Sequence, residues 1–401
     1  MGGRGRPPLH NINMKIKIQK KIINIIALLL AILIVCLVLT IANPFSVSAH
    51  SEHVGSSAQS MVTMETSTKT VLYQKNPHKK LPMASTTKIL TAITVIENTP
   101  DLGKKVKVPP CAVGIEGSSI YLQNGEELSI RDLLYGLMLQ SGNDCAVALA
   151  VITSGSVEKF SELMNKTALK FGAENSNFTN PHGLHDDKHY TTAYDLALIS
   201  AYALENEIFS EISKTKKHTA PWEGRNYPRV INNKNKLLNQ YDGADGVKTG
   251  FTKKAGRCFV GSATRNGMQV VSVVINCGPM FQETENLMTR AFNEYSMEQI
   301  LYPGQEIGVI SIEDAKNETM KYGVITQRFY PLKKGWIDNI NYGWTLKENL
   351  TAPMNAGDYV GTLEVHLTVN GTVSTIMTEN LVSLEDVHSK NIWDRLKDII
   401  D

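Results

Sequence analysis

The chain has 401 residues, and its 41 lysines and arginines nearly balance its 39 aspartates and glutamates, leaving a formal net charge of +2. This balance does not suggest a nucleic-acid partner. The hydrophobic content of 42% is that of a globular protein and excludes a largely disordered one. The length is sufficient for two domains.

The N-terminus has the features of an export signal. Four lysines precede an almost uninterrupted apolar run at 22–42, which is followed by a Pro44 break and the small-residue site Val47-Ser48-Ala49. We expect residues 1–49 to be a signal peptide cleaved after Ala49. The run is also long enough to span a bilayer, so an uncleaved N-terminal membrane anchor is the alternative. Lysines before the run place the remaining chain outside the cytoplasm.

From residue 61 to residue 301, short strand-like stretches enclose a series of helical ones. The predicted elements, in chain order, are strands at 61–64 and 70–73, a helix at 85–97, short strands and loops at 105–120, helices at 129–139, 145–152 and 157–171, a loop at 176–190, a helix at 192–204, strands at 245–250, 258–263 and 270–275, and a helix at 287–295. Strands at both ends with helices between them indicate an α/β (α+β) sandwich.

Helical periodicity disappears after Leu301. Alternating apolar residues at 363–369 lead into the turn Asn370-Gly371 and return through Val373, which is a hairpin pattern. We therefore predict a small all-β sandwich domain at 301–383. The tail at 384–401 has apolar residues on one side of a helix, and it is either an interfacial amphipathic helix or a terminal helix packed on its own domain.

Five cysteines are present, of which Cys36 lies in the apolar run. The other four are Cys111, Cys145, Cys258 and Cys277, an even number that permits disulfides in an exported protein. Their spacing does not require them. If a hairpin turns at Asn266-Gly267, Cys258 lies opposite Ile275, which is a poor geometry for a bridge to Cys277.

A serine and a lysine at the start of a buried apolar run form the first candidate site. Ser85 and Lys88 are three residues apart, so a helix would place them on one face. A lysine neutralised by burial can take the proton of a serine hydroxyl and make it a nucleophile. Alternatively, Ser85 is a helix N-cap and Lys88 a solvated charge.

Two further motifs follow in the order found in serine enzymes that react with penicillin. Ser141-Gly142-Asn143 interrupts two helical stretches, and Lys248-Thr249-Gly250 lies on a predicted strand. Such enzymes carry S-x-x-K, then a motif of the S-D-N kind, then K-T-G. Each short motif is common by chance, but the three in this order on suitable elements are not.

With the segments at 82–88, 139–144, 180–184 and 245–252, the chain resembles D-alanyl-D-alanine carboxypeptidases over about residues 61–295. These are low-molecular-weight penicillin-binding proteins of the serine peptidase class. The resemblance implies a penicillin-binding, transpeptidase-like catalytic domain at 57–298 followed by the β-sandwich. It also implies an exported enzyme that removes the terminal D-alanine from peptidoglycan stem peptides and is acylated by β-lactams.

Roles for the first two motifs follow from the resemblance and from their chemistry. Ser85 would attack the carbonyl between two D-alanines, and Lys88 would act as its base. Ser141 would relay a proton to the leaving amine. Asn143 would donate an amide hydrogen bond to the substrate backbone.

The third motif would hold the other end of the substrate. Lys248 supplies a positive charge for the terminal carboxylate, and Thr249 can donate a hydrogen bond to it. Gly250 lets the strand approach the nucleophile closely. By resemblance to the family, the backbone N–H groups of Phe251 and of the nucleophile form the oxyanion hole.

We see no glutamate-containing loop of the kind that class A β-lactamases use for deacylation, so slow acylation is expected rather than efficient β-lactam hydrolysis. His182, His185 and His189 lie near Asp186 and Asp187, but no H-E-x-x-H motif accompanies them, and we expect neither a metal nor another cofactor.

Two rival functions remain open, a D,D-endopeptidase acting on cross-links and a non-catalytic wall-binding protein. In either case the partner is peptidoglycan. Membrane contact through the N-terminal segment or the tail is a further expectation.

Overall fold

The computed structural model describes residues 52–394. The strands are β1 (Glu52–His53), β2 (Ser60–Glu65), β3 (Val71–Lys75), β4 (Lys105–Lys107), β5 (Glu127–Ser129), β6 (Lys217–Ala220), β7 (Arg229–Asn232), β8 (Ala244–Thr252), β9 (Gly256–Arg265), β10 (Met268–Ile275), β11 (Tyr295–Leu301), β12 (Gln305–Ser311), β13 (Thr319–Val324), β14 (Arg328–Lys333), β15 (Ile340–Leu346), β16 (Tyr359–Val369) and β17 (Thr372–Ser383). The helices are α1 (Lys88–Glu97), α2 (Ile130–Leu139), α3 (Asn143–Ser154), α4 (Val157–Lys170), α5 (Ala193–Glu205), α6 (Glu207–Lys214), α7 (Leu237–Gln240) and α8 (Met280–Glu294). The predicted export signal at 1–49, Cys36 and positions 395–401 of the predicted tail lie outside the described residues.

A six-stranded sheet forms the centre of the first part of the chain, with the strand order β1-β3-β2-β10-β9-β8. Strand β10 pairs antiparallel with β2 on one side and with β9 on the other. The sheet therefore joins the beginning of the described chain to strands that follow all of the intervening helices. Strand β8, which carries the third motif, is left at the edge.

Both faces of this sheet are covered. Because side chains alternate along a strand, Val271 and Val273 point into a core shared with helices α1 to α5, whereas Val270 and Val274 point into a second core shared with α8. This arrangement confirms the predicted α/β sandwich. Helix α8 begins at Met280, earlier than predicted, and α6 and the β6–β7 hairpin were not predicted.

Helix α1 begins at Lys88, three residues later than expected. Ser85 lies instead in a 3₁₀ turn at Ala84–Thr87. The hydroxyls of Thr86 and Thr87 donate back to the carbonyls of Met83 and Ala84, over 2.7 and 2.8 Å, and these bonds stabilise the tighter turn. The helix N-cap is Thr87, so Ser85 is not the cap of this helix.

The C-terminal part is all-β, as predicted. A five-stranded sheet with the order β12-β13-β17-β16-β15 and the two-stranded sheet β11–β14 share one apolar core. Val369 pairs with Thr372, which confirms the hairpin turn at Asn370-Gly371. Within residues 52–394, no helix combines the length and apolar character needed to cross a membrane.

The four described cysteines are free thiols. Cys111 is exposed, and the other three are buried. Phe259 pairs with Val274 in the β9–β10 hairpin, which is the register that the sequence predicted for this turn.

Candidate active site

The three motifs meet at one cleft. It has a volume of about 310 Å³. Its lining residues are Ser85, Ser118, Ser141, Lys234, Thr249, Gly250, Phe251, Met280 and Phe281. The fold brings these residues together because the 3₁₀ turn, the α2–α3 junction and edge strand β8 converge there.

Lys88 is fully buried directly behind the Ser85 hydroxyl. Its Nζ atom lies 3.0 Å from Ser85 Oγ, and it donates to Asn143 Oδ1 over 2.7 Å and to the carbonyl of His182 over 2.7 Å. Burial and then the nearby Lys248 cation hold the pKa of Lys88 well below its ordinary value. A neutral amine in this position can accept the serine proton, and the solvated-charge interpretation of Lys88 is wrong.

Ser141 lies between the end of α2 and the start of α3. Its backbone has a φ of 63°, in the left-handed region, which turns the chain sharply at this point. The side chain lines the same cleft as Ser85 and is only 5% exposed. A hydroxyl that lines the same cleft as Ser85 can exchange protons with a bound substrate.

The side chain of Asn143 is buried and held in a fixed orientation. Its Nδ2 donates to the carbonyl of Glu116 over 2.5 Å, and its backbone N–H donates to the carbonyl of Ser118 over 2.7 Å. A carbonyl oxygen can only accept, so the amide nitrogen must face Glu116 and the amide oxygen must face Lys88. Asn143 therefore belongs to the hydrogen-bond network of Lys88, a contact that the sequence did not predict.

The third motif places a cation and a close backbone contact beside the nucleophile. Lys248 is buried on edge strand β8, and burial together with Lys234 lowers its pKa to about 7. A Cβ atom added at Gly250 would lie 3.0 Å from the backbone nitrogen of Ser85. The absence of a side chain at Gly250 lets the strand lie against the 3₁₀ turn.

Sequence reasoning missed Lys234, a lysine that lines the cleft. Lys234 Nζ donates to Ser118 Oγ over 3.0 Å, and burial lowers the pKa of Lys234. Its backbone N–H donates to the carbonyl of Leu139 at the end of α2. Lys234 lies in a short polar segment without a recognisable motif, so only the fold reveals its position.

Hydrogen bonds hold His189 of the histidine-rich loop in place. Thr87 Oγ1 donates to Ala84 O, so it accepts a hydrogen bond from His189 Nε2 at 2.8 Å, while His189 Nδ1 accepts from the backbone of Thr179 over 3.1 Å. Burial lowers the pKa of His189 to about 4 and that of His182 to about 3. In the described part of the chain, no group of three or more His, Cys, Asp or Glu side chains is placed to hold a metal ion.

The fold and the three converging motifs define the penicillin-binding class of proteins. The family model for D-alanyl-D-alanine carboxypeptidase matches residues 46–278, and that for the C-terminal domain of penicillin-binding protein 5 matches residues 295–389. The chain belongs to the D-alanyl-D-alanine carboxypeptidase family.

Individual relatives agree with this assignment. The chain is 32% identical over 315 residues to the D-alanyl-D-alanine carboxypeptidase DacF of Bacillus subtilis, covering 76% of this chain and 80% of that protein. It is 31% identical over 385 residues to DacA of Haemophilus influenzae, covering 89% and 93%. The crystal structure of penicillin-binding protein 5 from Haemophilus influenzae superposes with a TM-score of 0.71 at 29% identity, covering 85% of this chain and 100% of that one.

Proposed function

We propose that this protein is a serine-type D-Ala-D-Ala carboxypeptidase that removes the terminal D-alanine from peptidoglycan stem pentapeptides. One observation carries the proposal: the buried amine of Lys88, whose pKa is lowered, lies 3.0 Å from the hydroxyl of Ser85 at the cleft that the three motifs share. Such a pair supplies a nucleophile and its base in one arrangement.

In the acylation step, the Oγ–H proton of Ser85 passes to Lys88 Nζ as Oγ forms a bond to the carbonyl carbon between the two D-alanines. The backbone N–H groups of Ser85 and Phe251 hold the developing oxyanion. The proton held on Lys88 then passes through the Ser141 hydroxyl to the leaving nitrogen, which returns both groups to their starting states, and the C–N bond breaks as D-alanine departs. The acyl group remains as an ester on Ser85.

Substrate binding uses the cationic end of the cleft. The terminal carboxylate is attracted by Lys248, and we add Lys234 as a second cation because it lines the same cleft. Thr249 donates a hydrogen bond to the carboxylate, and Asn143 has one amide hydrogen left for the substrate backbone. The charge of Lys234 acts on the buried Lys248 and lowers its pKa, and an anionic ligand offsets this repulsion.

Water hydrolyses the acyl-enzyme in a second step and regenerates Ser85. A β-lactam acylates Ser85 in the same way, but its ring-opened product has no small leaving group to vacate the site. β-Lactams are therefore covalent inhibitors that are released slowly.

The proposed biological role is peptidoglycan maturation, cell-wall remodelling and maintenance of cell shape outside the cytoplasm. Residues 1–49 would export the chain or anchor it, 57–298 would form the catalytic domain, 301–383 the β-sandwich domain, and 384–401 a tail for the membrane surface. These assignments are supported by the apolar run at 22–42 and by the amphipathic pattern of the tail.

Labelling with fluorescent penicillin tests the nucleophile. We expect a covalent band that disappears in Ser85→Ala, and labelling that survives this change would overturn the assignment. Release of D-alanine from a pentapeptide, compared with cleavage of a cross-linked dimer, separates the carboxypeptidase from a D,D-endopeptidase. A non-catalytic wall-binding protein would do neither.

A further inference from the structure

A buried carboxylate next to the second motif has no place in the mechanism above. Asp144 follows Asn143 in the first turn of α3 and is 1% exposed. A buried carboxylate without hydrogen-bond donors would be strongly destabilising. The groups that donate hydrogen bonds to Asp144 therefore indicate its role.

Those partners come mainly from one loop. Asp144 accepts hydrogen bonds from Ser119 Oγ over 2.6 Å, from the backbone of Ile120 over 3.1 Å and from the backbone of Leu122 over 3.1 Å. A fourth comes from the N–H of Cys145 over 2.9 Å. Three of the four donors thus lie in residues 116–122, here called the 116–122 loop.

The same loop holds the side chains of the active site. The carbonyl of Glu116 accepts from Asn143 Nδ2, and the carbonyl of Ser118 accepts from Asn143 N. Ser118 Oγ accepts from Lys234 Nζ. If the loop moves away, Asn143 loses the partner that fixes its amide, and its oxygen no longer has to face Lys88.

We propose that Asp144 is a positioning residue, which ties the 116–122 loop to α3 and thereby orients the Asn143 amide toward Lys88. The inference rests on the proposed function, because its consequence is a slower acylation of Ser85. Asp144 does not touch the cleft, so it acts only through Asn143 and the loop.

The experiment compares Asp144→Ala with Glu65→Ala. Glu65 is a matched control: it is also 1% exposed and accepts four hydrogen bonds from Ser67 and Thr68, but it lies at the end of β2, three strands from β8. We expect Asp144→Ala to lower the rate constant of acylation by benzylpenicillin about 10–100-fold, the size of effect that small misplacements of reacting groups produce. Glu65→Ala should lose similar thermal stability and acylate at nearly the parental rate.

Two further readouts separate positioning from a general loss of structure. The dissociation constant of the non-covalent complex should rise less than the acylation rate constant falls, because Lys248 and Thr249 are on β8 and only Asn143 and Lys234 depend on the loop. Asp144→Asn should restore part of the acylation rate, because its amide oxygen can still accept from two of the three loop donors Ser119, Ile120 and Leu122. An equal loss of acylation in Asp144→Ala and Glu65→Ala would overturn the proposal, as would a failure of Asp144→Asn to restore the rate.

A second pair of variants tests the loop even if Asp144→Ala does not fold. Gly117 and Gly114 both have positive φ angles, 93° and 76°, so alanine strains the backbone at both. Only at Gly117 would the added Cβ meet Asn143, at 2.8 Å from Nδ2, whereas position 114 has open space. Gly117→Ala should slow acylation and Gly114→Ala should not. Equal rates would overturn the proposal, whereas a parent protein that does not acylate would refute the proposed function itself.

Discussion

Lys88 Nζ lies 3.0 Å from Ser85 Oγ, although the two residues are on different elements, Ser85 in a 3₁₀ turn and Lys88 at the first position of α1. The turn places the hydroxyl at the cleft while the lysine starts a helix that is buried on nearly every side. Since α1 is surrounded by apolar side chains, the cost of a charge at Lys88 is high, and the amine is held ready to accept a proton.

Lys88→Arg tests whether the base must lose its proton. A guanidinium keeps its charge under all accessible conditions, so it cannot accept the proton of Ser85. We expect acylation by benzylpenicillin to slow about 10²–10⁴-fold, the contribution typical of a general base. Lys159→Arg, an exposed lysine on α4, is the control and should acylate like the parent. Rapid labelling of Lys88→Arg would contradict the role of Lys88.

The lowered pKa of Lys248 predicts that activity falls above neutral pH. Its pKa is lowered to about 7, so the side chain is a cation below that pH and becomes neutral above it. Because we propose that this cation attracts the substrate carboxylate, kcat/KM for D-alanine release should fall as pH rises through about 7. The measurement is a profile of kcat/KM between about pH 5 and 9.

Lys248→Arg provides the control for this profile. An arginine stays charged, so the ratio of kcat/KM at high and neutral pH should rise toward one, whatever the absolute activity of the variant. An unchanged alkaline limb in Lys248→Arg would mean that another group causes the decline.

The parts of the site that the sequence predicted are those that lie in short local patterns. Ser85 and Lys88 are three residues apart, and Lys248 lies in the Lys248-Thr249-Gly250 motif on a predicted strand, so local spacing was sufficient to select both positions. The alternation at 363–369 likewise predicted β16 and its turn. Local pattern did not predict the start of α1, because two threonine hydroxyls that bond to backbone carbonyls favour the 3₁₀ turn.

Long-range contacts account for the site residues that the sequence did not predict. Lys234 reaches the cleft only because the chain after β7 passes the end of α2, and Glu116 meets Asn143 across 27 positions of sequence. Neither residue belongs to a periodic pattern or a motif. Such contacts depend on how the whole chain folds, and one sequence does not contain a local signal for them.

Gly250→Ala tests the close approach of β8 to the nucleophile. The new Cβ would lie 3.0 Å from Ser85 N, 3.1 Å from Met83 O and 3.1 Å from Thr86 N, all of them backbone atoms that cannot rotate away. We expect acylation to slow by about tenfold or more, because the strand and the turn that carry the proposed oxyanion hole must separate. Gly55→Ala, where no atom lies within 4 Å of the new Cβ, should acylate normally.

Chelation tests the absence of metal from the proposed mechanism. The lining side chains of the cleft are hydroxyls, amines and apolar groups, which do not form a set of zinc ligands. We therefore expect D-alanine release to be unchanged after prolonged treatment with EDTA. Inhibition that is reversed by added zinc would require a metal-dependent mechanism instead.

The lowered pKa of His189 predicts that the folded protein loses stability in acid. The pKa of His189 is about 4 in the folded protein, below the ordinary value of 6.5, so the unfolded chain binds a proton between these values and the folded protein does not. Stability that is present above pH 6.5 is therefore lost as the pH falls toward 4. For this one group the loss at pH 5 is about 2 kcal/mol, and thermal melting at pH 7 and pH 5 measures it.

His189→Gln separates this effect from general acid denaturation. A glutamine can donate to Thr87 and accept from Thr179 as the neutral imidazole does, but it does not titrate. The variant should be less stable than the parent at pH 7, because a glutamine side chain does not have the shape of an imidazole ring. The difference in stability between parent and variant should narrow or reverse at pH 5. An equal difference in stability between parent and variant at both pH values would show that protonation of His189 does not contribute to acid unfolding.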